Sequence, residues 1–234
     1  MMSEEKEHID LLLNTHSNFN TQYVGNDISN EGFLKIQASF FDKESQWYAS
    51  RKSRPNFTEL RLKKIVTSPK KYINTDQSGV LKVLDVGTGT GVLIQYIEDT
   101  FSNTCIHALD LSYNQLKVVK LKNPNIDTFH GDISNFINPV QYDIIYCNAC
   151  FGNLLNQASA LKNMSNMLSG NGVVVISHPL GAGFVEKLHQ SNNVIVPNTL
   201  PTSIETLNEL INGTNLTIAE LIDIKDLYIC ILKR

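Results

Sequence analysis

The sequence contains no apolar run that approaches the roughly 18 residues needed to cross a membrane as a helix. Its first seven residues carry a net negative charge. They lack both the basic-then-apolar order of a secretory signal and the Arg- and Ser-rich composition of a transit peptide. The net charge is only −3, which gives the whole molecule no electrostatic attraction to nucleic acid. We therefore expect a cytoplasmic protein that does not associate with membranes.

Cysteine is also scarce, because the chain has only four, and these do not suggest a disulfide framework. Cys105 and Cys230 lie in apolar segments typical of strands, where a free thiol packs as a small hydrophobic group. Cys147 and Cys150 form a C-x-x-C pair, but a zinc site needs two further ligands and the sequence has no second pair. We therefore predict cysteines that serve packing, and no metal site.

The most informative stretch, residues 82–91, reads K-V-L-D-V-G-T-G-T-G. Its apolar run predicts a buried strand, its alternating glycines predict a tight turn, and the apolar positions of residues 92–97 predict a helix. The third glycine comes one residue earlier than in the G-x-G-x-x-G motif of dinucleotide-binding folds. Asp85, just before the loop, would repel a pyrophosphate but suits a ligand with an amino group and a sulfonium. The pattern therefore disfavours a nicotinamide-dependent oxidoreductase.

Two further acids follow segments with strand patterns. Asp110 ends residues 104–110, and Asp132 follows residues 126–130. In open parallel sheets, ligands bind beyond the carboxyl ends of the strands, and an acid about 20 residues after the glycines bonds ribose hydroxyls. Asp110 has that spacing, so we predict that it contacts the sugar of a bound nucleoside.

These residues resemble the motifs of class I S-adenosylmethionine-dependent methyltransferases, in which an acidic residue precedes G-x-G-x-G. The resemblance implies S-adenosylmethionine as the cofactor. It also implies that the loop and Asp85 hold the amino-acid end, Asp110 the ribose, and Asp132 with the Ile133 backbone the adenine. The cofactor-binding residues expected on this basis are Asp85, Gly87, Thr88, Gly89, Gly91, Asp110, Leu111, Asp132, Ile133 and Asn148.

Strand and helix patterns alternate from residue 80 onward, which predicts a parallel sheet with helices on both faces. A helix pattern through Leu168 is expected to stop at residues 170–172, before a strand over residues 173–177. Segments 216–223 and 227–233 are joined by a very short turn and must pair antiparallel. The resemblance implies an α/β fold, a Rossmann-like three-layer sandwich whose mostly parallel seven-stranded sheet ends in this hairpin.

Residues 1–75 contain three helical patterns and no strand pattern. They are too few to form a core of their own, so we predict a helical lid over residues 1–75 and an S-adenosylmethionine-binding methyltransferase domain over residues 76–234. The aromatic and acidic run of residues 41–48 resembles the segment that helps to roof the cofactor in ubiquinone-type methyltransferases. Trp47 and Tyr48 in this run are predicted either to contact the substrate or to anchor the lid.

The loop after the fourth strand is expected to meet the substrate. Residues 148–151 have the outline of the N-P-P-aromatic motif with which amino-methyltransferases grip a planar amine, although both prolines are missing. Phe151 and Asn153 are therefore predicted substrate contacts. His178, at the end of the fifth strand, is the predicted general base, because an imidazole with a pKa near 7 can take a proton from a nucleophile.

The sequence therefore predicts an S-adenosylmethionine-dependent methyltransferase, and its slight acidity, helical lid and apolar loop favour a small-molecule acceptor. An RNA or protein acceptor, and a catalytically silent cofactor-binding partner subunit, stay open as alternatives. The sequence does not distinguish a monomer from a homodimer. The RNA alternative depends on a basic cluster that comprises Arg51, Lys52, Arg54, Arg61, Lys63, Lys64, Lys70 and Lys71.

Overall fold

A computed structural model describes residues 2–19, 29–50, 56–73 and 79–234 of the protein, with the side chains of residues 2–4, 46–50, 56 and 57 outside that description. None of the helices in these ranges combines the length and hydropathy needed to cross a membrane. The helices are α1 Met2–Asn18, α2 Asn30–Ser50, α3 Asn56–Thr67, α4 Ile94–Thr100, α5 Tyr113–Lys122, α6 Gln157–Asn166, α7 Ala182–Ser191 and α8 Ile204–Ile211. Short 3-10 turns cover Ser68–Lys71 and Phe151–Asn153.

The strands form one mixed sheet of seven, in the spatial order β3-β2-β1-β4-β5-β7-β6. β7 runs antiparallel to both β5 and β6, whereas the pairs from β3 to β5 are parallel. This arrangement confirms the predicted Rossmann-like sheet that ends in an antiparallel hairpin. The strands are β1 Leu81–Val86, β2 Thr104–Asp110, β3 Asp127–His130, β4 Tyr142–Asn148, β5 Leu168–His178, β6 Thr217–Ile224 and β7 Leu227–Lys233.

Successive residues of the central strands pack into two cores, one on each face of the sheet. Ile144 of β4 and Val175 of β5 belong to one core, and their neighbours Ile145 and Val174 belong to the other. All four side chains are fully buried. Because side chains alternate across a strand, an uninterrupted apolar run supplies both faces at once, and helices must cover each face. The three layers follow from this pattern.

The three N-terminal helices pack on different parts of the fold. α1 packs on α7 and α2 packs on α5, whereas α3 packs on α4. Leu62, Ile65 and Val66 of α3 are buried in the core, and the Tyr146 hydroxyl of β4 donates to the Val66 carbonyl over 2.7 Å. The structure thus places α3 in a core layer, and the lid over residues 1–75 stays a prediction. The boundary at residue 75 stays a prediction.

Two local predictions differ from the structure. The helix expected to run through Leu168 ends at Asn166, and Leu168 already belongs to β5, where it pairs with Tyr142. The register then shifts before Ile144, so residues 169–172 bulge from the strand. Gly172 allows this bulge, because a Cβ there would lie 2.7 Å from the Tyr142 carbonyl oxygen. The helix expected from residue 92 begins only at Ile94, since turns occupy residues 89–93.

Candidate functional site

The loop after β1 turns sharply beside the carboxyl end of the sheet. Gly87, Gly89 and Gly91 have φ values of +64°, +57° and +79°, a region that favours glycine. At Gly87 space matters as well, because a Cβ would lie 2.3 Å from the Cys150 Sγ. The Gly87 and Thr88 N–H groups donate to the Leu109 carbonyl over 2.8 and 3.1 Å, which ties the loop to β2.

Asp85 lies at the floor of the site and is buried, with an exposed fraction of 2%. One carboxylate oxygen accepts a hydrogen bond from the Thr88 hydroxyl over 2.7 Å. Burial raises the pKa of Asp85 to about 7, the nearby charge of Asp110 adds to this shift, and the Thr88 hydrogen bond opposes it. Within the described residues Asp85 forms no ion pair. A ligand that brings a positive charge would therefore stabilise its ionised form.

Asp110 ends β2 and organises two neighbouring loops. Its carboxylate oxygens accept the Gly89 N–H and the Ser112 N–H, each over 2.8 Å. Burial raises the pKa of Asp110, and these two backbone hydrogen bonds oppose the shift. Each carboxylate oxygen retains accepting capacity, so Asp110 can hold the glycine loop and bind ribose hydroxyls together.

The third acid follows β3. Asp132 is half-buried, and its carboxylate accepts the Ser134 N–H over 3.0 Å, which shapes the turn. Ile133 is buried, and its carbonyl accepts a hydrogen bond from the Asn163 amide over 2.6 Å. Leu111, Asp132 and Ile133 line the same cavity as Asp85 and Asp110, and this cavity has a volume of about 530 Å³. The structure thus brings the three predicted acids to one cavity.

The loop after β4 forms the next wall. The Asn148 side-chain oxygen accepts the Ser177 hydroxyl over 3.0 Å, and Ala149 has a φ of +52°, rare for a residue with a side chain. Asn148 and Asn153 line the cavity. Phe151 is buried in the core, with an exposed fraction of 0%, and it also lines the cavity, so its contact with a substrate stays a prediction.

His178 is buried at the end of β5 and lines the cavity. Its Nδ1 accepts the Leu180 N–H over 3.1 Å, which leaves the ring proton on Nε2 in the neutral form. Burial lowers the pKa of His178 to about 3. A neutral ring whose other nitrogen already carries the proton can donate a hydrogen bond but cannot accept a proton there. The geometry therefore does not support the predicted role as a general base.

Helices α1 and α2 roof the cavity with residues that sequence reasoning did not single out. The buried Gln37 amide donates to the Asn153 and Ile195 carbonyls, each over 2.8 Å. The Asp42 carboxylate accepts the Ser112 hydroxyl and the Asn114 N–H at the start of α5. Asp42 lies in the aromatic and acidic run of residues 41–48, which was predicted to cover the cofactor. The run itself does not indicate that Asp42 binds Ser112 and Asn114. The predicted contacts Trp47 and Tyr48 belong to α2, and their side chains lie outside the described residues.

The residues present fit an adenosyl compound with a positively charged amino-acid end. The fit depends on a buried carboxyl, Asp85, that has no ion-pair partner among the described residues, beside a loop in which Gly87 has no room for a Cβ. Asp110 and Asp132 add further carboxylate oxygens that can accept hydrogen bonds. Helices α1, α2, α3 and α7 contribute apolar side chains to the remainder of the cavity.

A sequence model of the family described as methyltransferase domain matches residues 51–221. The chain belongs to this family. Malonyl-(acyl-carrier protein) O-methyltransferase 2 of Ilyobacter polytropus is 27% identical over 165 residues, which cover 67% of this chain and 63% of that protein. A dTDP-3-amino-3,6-dideoxy-alpha-D-glucopyranose N,N-dimethyltransferase of Streptomyces fradiae is 30% identical over 98 residues, 40% of this chain and 38% of that protein. The chain spans less than two thirds of the length of these relatives.

Solved methyltransferase structures share the fold. The N-methyltransferase NodS of Bradyrhizobium japonicum, in complex with S-adenosylhomocysteine, superposes with a TM-score of 0.60 at 14% identity, covering 83% of this chain and 98% of that one. The magnesium protoporphyrin IX methyltransferase of Synechocystis, also with bound S-adenosylhomocysteine, gives a TM-score of 0.62 at 12% identity, covering 86% and 99%. The family membership and this fold make S-adenosylmethionine the cofactor of this methyltransferase domain.

Proposed function

We propose that this protein transfers the methyl group of S-adenosylmethionine to a small-molecule acceptor. The observation that carries the proposal is the convergence of Asp85, Asp110 and Asp132 on one cavity that continues beneath the lid helices α1 and α2. The cavity is lined by carboxylates and glycine backbone that follow the strands and by apolar side chains from the helices. This combination suits a charged nucleoside beside a largely apolar acceptor.

When bound, S-adenosylmethionine supplies an electrophilic methyl group on a positively charged sulfur. The residues of the chain bind the cofactor and the acceptor, orient them and enclose them. Asp85 and the glycine loop hold the amino-acid end, Asp110 holds the ribose, and Asp132 with the Ile133 backbone holds the adenine. The lid helices exclude water and hold the acceptor against the nucleoside, which lowers the entropic part of the barrier.

The described surface gives less support to an RNA acceptor. Within the basic cluster, Arg61 binds Glu5, Lys63 binds Glu59 and Lys71 binds Glu220. The charges of these side chains are thus balanced within the chain and contribute little to attracting a polyanion. Arg51, Lys52 and Arg54 lie outside the described residues.

A screen of candidate acceptors with labelled methyl donor tests the proposal. We expect label to enter a small molecule when purified protein is incubated alone with an acceptor panel. Incorporation only after cell extract is added, and only when a second protein is present, would favour the catalytically silent partner subunit. Label recovered in RNA or protein would contradict the small-molecule acceptor.

A further inference from the structure

Two buried histidines, His16 and His178, line the cavity, and their hydrogen bonds give them opposite tautomers. In His178 the Nδ1 accepts the Leu180 N–H, so Nε2 carries the proton and is a donor. In His16 of α1 the Nδ1 lies 2.9 Å from the Leu12 carbonyl, which can only accept, so Nδ1 carries the proton. Burial lowers the pKa of His16, so its Nε2 is an unprotonated acceptor at neutral pH.

The two histidines are linked to opposite ends of α7. The His178 ring packs against Phe184 near the start of the helix, with ring centroids 5.4 Å apart. The His16 carbonyl accepts the Asn192 side-chain amide at the end of the helix, over 2.9 Å. Phe184 and Asn192 are eight residues apart, about 12 Å along a helix. The cavity wall between these ends is apolar and includes Val185 and Leu188.

The charges around this cavity disfavour an anion. Asp85, Asp110 and Asp132 line the same cavity, and the buried His16 and His178 are not positively charged at neutral pH. Among the described residues that line the cavity, Lys122 at the end of α5 is the one lysine, His8 of α1 is a third histidine, and there is no arginine. A carboxylate held between His16 and His178 would lose its hydration with no positive charge on either ring, which is costly.

We propose that His16 and His178 select an uncharged, elongated acceptor with an apolar body, which donates a hydroxyl hydrogen to the His16 Nε2 and accepts the His178 Nε2–H at an oxygen. This inference rests on the proposed function and deepens it by naming the class of acceptor. His16 and His178 are acceptor-binding residues that set specificity. Acceptors that would place a free carboxylate between His16 and His178 fall outside this class.

Three naphthalenes that share one ring framework provide the binding test. The probe 6-hydroxy-2-acetonaphthone has a hydroxyl and a neutral carbonyl oxygen, 6-methoxy-2-acetonaphthone lacks the hydrogen donor, and 6-hydroxy-2-naphthoate carries a carboxylate. Each is titrated by calorimetry into the full chain saturated with S-adenosylhomocysteine. We expect the hydroxy ketone to bind about 3- to 10-fold more tightly than the methoxy ketone, as for one neutral hydrogen bond, and the naphthoate to bind most weakly.

Variants assign the preference to particular residues. His16→Phe should abolish the discrimination between the hydroxy and methoxy ketones, and His178→Phe should weaken both ketones equally. His189→Phe is the matched control, because the His189 Nδ1 also contacts a backbone carbonyl, that of Val196. We expect the control to keep the wild-type order of affinities. Retained discrimination in His16→Phe would overturn the assignment.

The tautomers can be measured without a ligand or a variant. Long-range proton–nitrogen correlation spectra of the histidine-labelled chain at neutral pH should show His16 protonated on Nδ1 and His178 on Nε2. The reverse tautomer or a cationic ring at either position would overturn the proposal. So would tighter binding of the naphthoate, or no binding of the hydroxy ketone to a chain that binds S-adenosylhomocysteine. Failure to bind S-adenosylhomocysteine would instead defeat the proposed function itself.

Discussion

Asp110 holds the glycine loop through the Gly89 N–H, and we propose that it also accepts hydrogen bonds from the ribose of the cofactor. Charge-assisted hydrogen bonds contribute about 1.5 to 3 kcal/mol each, so we expect Asp110→Ala to weaken S-adenosylhomocysteine binding about 10- to 150-fold. Isothermal titration calorimetry measures the change directly.

Asp143 provides a matched control for that substitution. Its carboxylate also accepts one backbone N–H, from Lys82, and one hydroxyl, from Ser169, but it does not line the cavity. We expect Asp143→Ala to leave the affinity unchanged. An equal loss in both variants would show that Asp110 acts through general stability alone.

Asp85 couples the stability of the fold to pH. Its pKa is about 7 in the folded chain against an ordinary value of 3.8, so the folded state binds the proton more tightly than the unfolded state. The free energy of unfolding contributed by this group therefore falls as pH rises from about 4 to about 7. Asp85→Asn removes the effect, so we expect it to stabilise the protein at pH 8 by up to about 4 kcal/mol, and much less at pH 5.

Urea unfolding of wild type and Asp85→Asn at the two pH values gives this comparison. The same variant should bind S-adenosylhomocysteine more weakly, because it lacks the carboxylate that we propose binds the amino group. A stability difference that does not change between pH 5 and pH 8 would exclude Asp85 as the titrating group.

The glycines of the loop differ in what they tolerate. A Cβ added at Gly89 would meet open space. Gly89→Ala should therefore lower the free energy of unfolding only by the cost of placing alanine at positive φ, roughly 1 to 2 kcal/mol. Gly87→Ala adds a collision with Cys150, so we expect it to lower the free energy of unfolding by a clearly larger amount. Urea unfolding of the two variants without ligand measures the difference. Equal losses would contradict the packing of Cys150 against Gly87.

At the scale of residues, the site could be predicted where its signal is local in the sequence. The acid and glycine spacing placed Asp85 and Asp110 correctly at one cavity, because strand ends of a parallel sheet meet at one edge. The role of His178 could not be predicted, since it depends on a hydrogen bond from Leu180 in the following turn. His16 lies far away in sequence and reaches the cavity only through the packing of α1 on α7.

Among the elements, α2 connects the lid to the nucleoside end of the site. Its Asp42 carboxylate accepts from Ser112 and Asn114 at the start of α5, where a helix terminus favours negative charge. Asp42→Ala removes these bonds, so we expect amide exchange in α2 to accelerate about 10- to 150-fold, as for a loss of 1.5 to 3 kcal/mol. Hydrogen-exchange mass spectrometry of the α2 segment measures this.

Glu31 serves as the control for Asp42 on the same helix. Its carboxylate pairs with the exposed Lys35 one turn along the helix, and exposed pairs of this kind contribute little. Glu31→Ala should leave exchange across the α2–α5 contact unchanged. Equal acceleration in both variants would mean that the Asp42 contact does not hold the lid.

Element type could be predicted more reliably than element boundaries. The central strands follow from apolar runs, but the start of β5 at Leu168 does not, because the bulge at residues 169–172 resembles a turn in sequence. The pairing of Leu168 with Tyr142 is a contact between strands, and a local pattern carries no information about such a partner. The late start of α4 has a related cause, since the loop turns extend past the last glycine.

At the scale of the whole molecule, the N-terminal helices complete two different parts of the fold. α3 fills a core layer through Leu62, Ile65 and Val66, whereas α1 and α2 contribute to the cavity, which Leu62 also lines. Sequence reasoning grouped the three helices as one lid, because each shows only an amphipathic pattern and the surface it covers is not encoded nearby. The methyltransferase domain therefore depends on residues before the glycine motif for both its stability and its acceptor site.

The central claim is that carboxylates from the ends of three strands bind one adenosyl compound. Calorimetric titration of the full chain with S-adenosylhomocysteine, with NADH titrated in parallel, tests this claim most directly. The expected result is saturable binding of one S-adenosylhomocysteine per chain and no binding of NADH. Saturable binding of NADH without binding of S-adenosylhomocysteine would contradict it.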